Sequence, residues 1–168
     1  EIEKLKGKPL ICKTGHTFIK QKIRETDALL GGEMSGHIFF NDRWPGFDDG
    51  IYAGARMLEI IANSEQDDPF VTVPNMLSTP EINIPSADEE KFQIVKTFIE
   101  NSNFSDAKIV NIDGIRVEFE KGWGLLRASN TSPCLVLRFE AETNDDLKKI
   151  KEIFYLGLKS IKPDINKF

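Results

Sequence analysis

The fold is decided by residues 114–141, GIRVEFEKGWGLLRASNTSPCLVLRFEA. Apolar and polar residues alternate along this stretch in successive runs, and a period of two is typical of β-strands. Asp113 and Gly114 precede the first run, and this dipeptide favours a β-hairpin turn. The stretch therefore predicts neighbouring strands. The last of them, which contains Leu135 and Leu137, should bury one face and expose the other to water.

Two helices are predicted to cover one face of these strands. The first should begin at Ser86, which forms a capping-box pair with Glu89. Phe92, Val95 and Ile99 share one side of that helix, so we expect this side to be buried. The second helix is the last regular element of the chain.

Thr143 and Asp146 are expected to cap the last helix. Its apolar stripe comprises Leu147, Ile150, Phe154, Leu158 and Ile161. Two more strands are predicted at residues 81–84 and 108–111. The C-terminal part is therefore predicted to be an α+β layer pair, a mainly antiparallel sheet of four or five strands with two helices on one face.

The N-terminal part has a different pattern, in which short strands alternate with helices. The expected elements are a helix at His16–Arg24, a buried strand at Ala28–Glu33, a strand at Ile38–Phe40 and a helix near Gly50 capped by Asp48 or Asp49. The last of these helices should be amphipathic, with Ile51 and Leu58 on its apolar face. Residues 63–80 contain three prolines and predict a linker between two domains.

Composition excludes several classes of function. The net charge is −5 and the basic residues are dispersed, so no nucleic-acid partner is expected. No apolar run reaches the roughly 18 residues of a membrane span, so no membrane partner is expected. Cys12 and Cys134 should be buried free thiols, which favours a reducing, cytoplasmic location. Asp48 and Asp49 lack a third carboxylate, so no metal site is predicted in this chain.

A short loop with three chemically active side chains lies at Gly32–His37, GEMSGH. The Glu33 carboxylate can accept hydrogen bonds from two neighbouring sugar hydroxyls, and Ser35 can donate and accept beside it. The imidazole of His37, like that of His16, can carry a proton or donate to a phosphate. A plain turn with a structural histidine, or for His16 a helix cap, fits the same residues, and residue chemistry leaves these alternatives open.

A second polar loop, Arg127–Pro133, leaves a predicted strand. The Arg127 guanidinium can bind a phosphate with two hydrogen bonds, and Ser129, Asn130 and Thr131 can add donors. Consecutive backbone N–H groups of the loop can also form an anion nest. An ordinary polar hairpin loop is the alternative, although an arginine at the strand end favours phosphate binding.

The chain resembles the α-D-phosphohexomutase family in the order of its short motifs. They are Lys13–His16, Gly32–His37, Asp48–Gly50, Gly122–Gly124 and Arg127–Thr131 with Pro133. The resemblance implies that residues 1–66 are the C-terminal portion of a third, mixed α/β domain. Residues 67–168 would then be a linker and a fourth domain folded like the TATA-binding protein.

The resemblance also implies an activity. Such a mutase interconverts hexose 1-phosphate and hexose 6-phosphate through a phosphoserine and a bisphosphate intermediate. Met34 favours the branch that acts on mannose and glucose phosphates. A phosphoglucosamine mutase and a non-enzymatic binding module remain alternatives. The chain opens at Glu1 in the middle of a pattern, which favours a piece of a longer protein.

Site residues and partners follow from the same resemblance. The sugar hydroxyls would contact Glu33 and Ser35, the catalytic histidines would be His37 and His16, and the phosphate that is not transferred would bind Arg127, Ser129, Asn130 and Thr131. The substrate is a phosphorylated hexose, and the partner is the set of N-terminal domains of the same polypeptide. Those domains would carry the phosphoserine and the Mg²⁺ ligands, and a glucose 1,6-bisphosphate-type activator is implied. The 168 residues alone are expected to be inactive.

Overall fold

The chain forms two compact units. The computed structural model describes residues 2–168, and the division between the units falls between Val73 and Pro74. Residues 2–168 contain four helices and eight strands. None of these helices combines the length and the apolar character of a membrane span.

The first unit has a small hydrophobic core beneath one hairpin. Its elements are α1 (His16–Thr26), β1 (Leu30–Gly32), β2 (Ile38–Phe40) and α2 (Gly50–Ala62). The two strands pair antiparallel, with Gly31 opposite Phe39. Ile19 and Ile23 of α1 pack with the fully buried Phe39. The predicted helix with these two isoleucines on one face is confirmed.

Several apolar residues of the first unit are exposed, against expectation. Leu30 of β1 is 58% exposed and Ile51 of α2 is 89% exposed. No residue of Gly50–Ala62 is buried. The strand predicted at Ala28–Glu33 is present as β1, but its predicted burial was wrong. The physical reason is that the described part of this unit has one cluster of three buried apolar residues and no further layer that could cover β1 or α2.

Polar contacts hold α2 to the residues that follow β2. Asp49 is the N-cap, and its carboxylate accepts from the N–H groups of Ile51 at 3.0 Å and Tyr52 at 2.9 Å. One of the two predicted caps is thus confirmed. Arg56 pairs with Asp42 at 2.7 Å, and hydrogen bonding by this guanidinium lowers the pKa of Asp42 to about 2.

The second unit is built on an antiparallel sheet of six strands among the described residues. They are β3 (Leu77–Ser78), β4 (Ile82–Pro85), β5 (Lys108–Val110), β6 (Ile115–Phe119), β7 (Gly122–Ala128) and β8 (Cys134–Ala141), with helices α3 (Asp88–Asn101) and α4 (Asn144–Ile161). The order is β3-β8-β7-β6-β5, and β4 also pairs with β8. The predicted fold class is confirmed, with six strands instead of four or five.

Helices α3 and α4 cover one face of this sheet. The fully buried side chains between the layers include Val117, Leu126, Leu135, Leu137, Phe139, Phe154 and Leu158. A Cβ at Gly124 would lie 2.5 Å from Cε2 of Phe154, so glycine is needed for α4 to approach the sheet this closely. Thr143 caps α4, and Ile150, Phe154 and Leu158 are its buried stripe, both as predicted.

The start and the buried face of α3 differ from expectation. Ser86 donates its N–H to the Pro133 carbonyl at 3.0 Å, which extends the β4–β8 pairing by one residue. The helix therefore begins later, with Ala87 as its N-cap, and the predicted capping box of Ser86 and Glu89 was wrong. Phe92, predicted to be buried, is 56% exposed. The buried residues are Lys91, Ile94, Val95 and Phe98.

The predicted linker, residues 63–80, ends inside the sheet. Strand β3 lies within it and pairs with β8. Thr79 is buried, its N–H donates to the Phe139 carbonyl at 2.9 Å, and its Oγ1 accepts from the Phe139 N–H at 3.2 Å. The last residues of the segment therefore belong to the second unit.

Candidate functional site

The loop between β1 and β2 is a tight turn. The Glu33 N–H donates to the His37 carbonyl at 2.9 Å, and the Gly36 N–H donates to the Glu33 carbonyl at 3.0 Å. Gly36 has a φ of 93°, a conformation that favours glycine. The turn leaves Met34 and Ser35 exposed at its tip, so the Ser35 hydroxyl is open to a ligand.

The Glu33 carboxylate joins two of the sequence motifs. Its Oε2 accepts a hydrogen bond of 3.3 Å from the N–H of Gly15, which is the N-cap of α1. His16, the next residue, is the first residue of α1 and is exposed. It is therefore not the cap, which was one alternative for it. The contact brings Glu33 and the start of α1 together, and Oε1 accepts no hydrogen bond within residues 2–168.

His37 is oriented by a carboxylate that the sequence did not assign to it. Nδ1 of His37 lies 2.7 Å from Oδ2 of Asp48. Asp48 reaches this position because its backbone forms an isolated β-bridge with Phe39. With Nδ1 paired to Asp48, Nε2 is the ring nitrogen left for a ligand, and more than half of the His37 side chain is exposed. From the sequence, Asp48 was considered only as a helix cap or a metal ligand.

The second loop begins on the sheet face that carries no helix. Arg127 at the end of β7 and Arg138 on β8 both lie on this face, in pairs that are two positions apart in the β7–β8 register. Neither guanidinium has a hydrogen bond or an ion pair within residues 2–168, and Nε of Arg138 is buried. Arg116 on the same face differs, because it pairs with Glu118 at 3.0 Å and stacks on Trp123 at 3.9 Å.

Ser129 organises the backbone of the second loop. It is buried, and its N–H donates to the Cys134 carbonyl at 3.0 Å. Its Oγ accepts from the N–H groups of Thr131 at 3.3 Å and Ser132 at 3.1 Å. The predicted anion nest was wrong for these two N–H groups, because a serine-centred turn already satisfies them. The Ser129 hydroxyl hydrogen and the exposed side chains of Asn130 and Thr131 remain the donors for a ligand.

Helix α3 also contacts this loop, although the two segments are far apart in the sequence. Lys91 donates from Nζ to the Ser132 carbonyl at 3.0 Å and to Oδ1 of Asp88 at 2.6 Å. The Lys91 side chain is only 4% exposed. The sequence analysis missed Lys91, because Lys91 and Ser132 are 41 residues apart and no local pattern links them.

No metal centre is formed by the described residues. Residues 2–168 contain no group of three or more His, Cys, Asp or Glu side chains that could hold a metal ion. Asp48 is paired with His37, and Asp49 caps α2. Cys12 and Cys134 are free thiols and both are partly exposed, so their predicted full burial was wrong. Partial burial still raises the pKa of the Cys12 thiol.

Two family models match these two regions in chain order. Residues 1–72 match domain III, the alpha/beta/alpha domain, of phosphoglucomutase/phosphomannomutase. Residues 81–156 match the C-terminal domain of the same proteins. The chain belongs to the phosphoglucomutase/phosphomannomutase family. The resemblance carried by the short motifs is thus confirmed at the level of the family, and the motifs fall in both matched regions.

Similar proteins agree on the family. The phosphomannomutase/phosphoglucomutase of Pseudomonas syringae pv. tomato is 52% identical over 162 residues, which are 95% of this chain and 35% of that protein. A phosphoglucomutase of Neisseria gonorrhoeae is 46% identical over 92% of this chain and 34% of its own length. A crystal structure of a phosphoglucomutase/phosphomannomutase family protein from Burkholderia thailandensis superposes with a TM-score of 0.89. It is 45% identical and covers 99% of this chain. The chain thus spans about 35% of the length of the curated relatives it matches.

Proposed function

We propose that the chain is the C-terminal part of a phosphohexose mutase that interconverts hexose 1-phosphate and hexose 6-phosphate of mannose and glucose. Relatives that align with most of the chain are named phosphomannomutase/phosphoglucomutase or phosphoglucomutase. The reaction would use a phosphoserine and a bisphosphate intermediate. Residues 1–66 would be the end of the third domain, and residues 67–168 the linker and the fourth domain.

The unpaired guanidinium of Arg127 is the observation that carries this proposal. It lies at the start of a loop whose backbone is held by Ser129 and Lys91, and it has no acceptor within residues 2–168. An arginine with an unpaired guanidinium and hydroxyl and amide donors in the residues that follow it matches a phosphate monoester. We therefore assign Arg127, Ser129, Asn130 and Thr131 to the phosphate that is not transferred. Phosphoryl transfer depends mainly on such positioning and charge neutralisation.

The loop at Glu33–His37 would bind the sugar. Oε1 of Glu33 and the exposed hydroxyl of Ser35 are acceptors and donors suited to neighbouring sugar hydroxyls. The Gly15 N–H bond holds the Glu33 carboxylate in place. Hydrogen-bonding groups that are already in position reduce the entropic cost of ordering the site when a substrate binds.

His37 is the residue we assign to proton transfer at the reacting end of the sugar. Oδ2 of Asp48 accepts a hydrogen bond from Nδ1 of His37 at 2.7 Å. This contact orients the ring and leaves Nε2 for the substrate. His16 lies beside the Gly15–Glu33 contact and is exposed, so we place it in the same site with a secondary role.

The remaining parts of the enzyme would come from the polypeptide outside residues 1–168. Mg²⁺ does not fit the described residues, which have no cluster of ligands for it. We expect its ligands and the phosphoserine in N-terminal domains of the same polypeptide. A glucose 1,6-bisphosphate-type activator and a cytoplasmic location complete the proposal.

The proposal is tested by titrating the ¹⁵N-labelled chain with glucose 1-phosphate, inorganic phosphate and glucose. Glucose 1-phosphate and phosphate should shift the amide signals of Ser129–Thr131, and glucose should leave them unchanged. The absence of any shift with glucose 1-phosphate would contradict the phosphate assignment. Mutase activity is then measured on a polypeptide that contains this chain and its N-terminal domains, with the isolated chain as the inactive control.

A further inference from the structure

Lys91 is a buried cation in a position that helical periodicity reserves for an apolar side chain. It lies on the same face of α3 as Ile94, Val95 and Phe98, which enter the core. Its side chain is 4% exposed. Lysine is almost never buried to this degree unless it is paired. The partners of Lys91 therefore indicate its role.

Two features make this position unfavourable for a lysine. Removing an ammonium group from water is costly. The group also sits in the first turn of α3, where the helix dipole disfavours positive charge. Asp88 offsets part of this, but two thirds of the Asp88 side chain is exposed, so water screens the ion pair.

The second contact of Lys91 explains the placement. Its Nζ donates to the Ser132 carbonyl at 3.0 Å, and the same carbonyl accepts from the Cys134 N–H at 2.9 Å. The Ser132 N–H in turn donates to Oγ of Ser129. A displacement of Ser132 would therefore move the Ser129 hydroxyl, which is one of the proposed phosphate donors.

We propose that Lys91 is a positioning residue for the phosphate-binding loop, through the Ser132 carbonyl. The inference rests on the function proposed for Arg127–Thr131. Lys91 fixes the turn that carries the Ser129 hydroxyl, two residues after Arg127 in the chain, and it places a positive charge in contact with the loop backbone. A phosphate monoester dianion is the ligand that benefits from both effects.

The test compares variants of the 168-residue chain by their affinity for glucose 1-phosphate, measured by NMR titration at 10 °C. Lys91→Met keeps the length of the side chain but removes its charge and its donors. It should weaken binding about tenfold, the effect of losing one hydrogen bond from a charged donor. Lys91→Arg should restore most of the affinity. Asp88→Asn is the matched control, since it removes the ion pair but leaves the Ser132 contact, and it should bind at least as tightly as the unmodified chain.

A merely structural lysine would give a different result. Lys91→Met would then unfold at a lower denaturant concentration, but the folded variant would bind glucose 1-phosphate as well as the unmodified chain does. That outcome overturns the proposal. If Lys91→Met does not fold, the ¹³C signal of the Ser132 carbonyl and the ¹⁵N signal of Lys91 Nζ are followed in the unmodified chain. Both should shift on addition of glucose 1-phosphate, and no shift at either overturns the proposal.

A failure of the proposed function can be distinguished from a failure of the role proposed for Lys91. If the unmodified chain does not bind glucose 1-phosphate or inorganic phosphate, the phosphate assignment of the loop fails, and the role of Lys91 fails with it. If the unmodified chain binds and Arg127→Gln abolishes binding while Lys91→Met has no effect, only the role of Lys91 is overturned.

Discussion

The two units bury apolar residues to very different extents, although each carries one candidate loop. The core of the first unit comprises Ile19, Ile23 and Phe39, whereas that of the second contains fifteen buried residues. In the first unit, side-chain contacts of Glu33 with Gly15 and of His37 with Asp48 add to the backbone turn of the Gly32–His37 loop. The Arg127–Pro133 loop of the second unit joins two long strands over a packed core. We infer that the second loop has its shape before any ligand binds, while the first depends on individual hydrogen bonds.

The largest expected effect tests the difference between the cores. Phe154→Ala should destabilise the second unit by about 3–5 kcal/mol, the usual effect of removing a buried phenylalanine, because Phe154 is fully buried and packs on Phe98 and Phe139. Phe39→Ala should destabilise the first unit by less, since fewer buried residues surround it. Denaturant unfolding followed by NMR signals of each unit measures both. Equal losses of unfolding free energy in the two units would contradict the inferred difference between the cores.

The second prediction tests the proposed phosphate binding by the Arg127–Pro133 loop. Arg127→Gln should weaken binding of glucose 1-phosphate by about ten- to a hundredfold, because a charged hydrogen-bond donor contributes about 1.5–3 kcal/mol. Arg116→Gln is the matched control, an arginine on the same sheet face that is already paired with Glu118. Isothermal titration of the three chains gives the affinities. A loss of equal size in both variants would indicate a general effect of charge instead of a specific site.

The third prediction concerns the contact that holds the Gly32–His37 loop against the start of α1. Glu33→Ala removes the acceptor of the Gly15 N–H. Amide exchange at Gly15 should become about fivefold faster, as expected for the loss of one hydrogen bond of about 1 kcal/mol. Glu33→Gln keeps an acceptor oxygen and should retain most of the protection. Unchanged exchange in Glu33→Ala would show that this contact does not hold the loop.

The smallest effect concerns the acid stability of the first unit. Arg56 lowers the pKa of Asp42 to about 2, so the folded state favours the ionised carboxylate. The contribution of this pair is fully present above the ordinary pKa of aspartate, about 4, and is lost as the pH falls towards 2. The NMR signals of α2 should report this loss, and Asp42→Asn should abolish that part of the pH dependence. If Asp42→Asn loses stability at low pH as the unmodified chain does, the Asp42–Arg56 pair does not contribute to the acid stability of this unit.

Most strands, the last helix and the two polar loops were predictable because their signals are local, whereas β3 lies in the segment predicted to be a linker. Alternation with a period of two marks β6 and β8, and the Thr143 cap with its apolar stripe marks α4. The buried face of α3 was not predictable. The predicted face held Phe92, Val95 and Ile99, whereas the buried residues are Lys91, Ile94, Val95 and Phe98. Both sets recur at helical spacing, so only packing against the sheet decides between them.

The sequence by itself determined the family, the α+β class and the residues available to each candidate loop. The tertiary structure alone decided how those residues are used. It paired His37 with Asp48, tied Glu33 to Gly15 and placed Lys91 against Ser132, over separations of 11, 18 and 41 residues. It also used the Ser129 hydroxyl as an acceptor for two backbone N–H groups. The reason is physical: periodicity and caps act within a few residues, whereas these contacts form only when packing brings distant segments of each unit together.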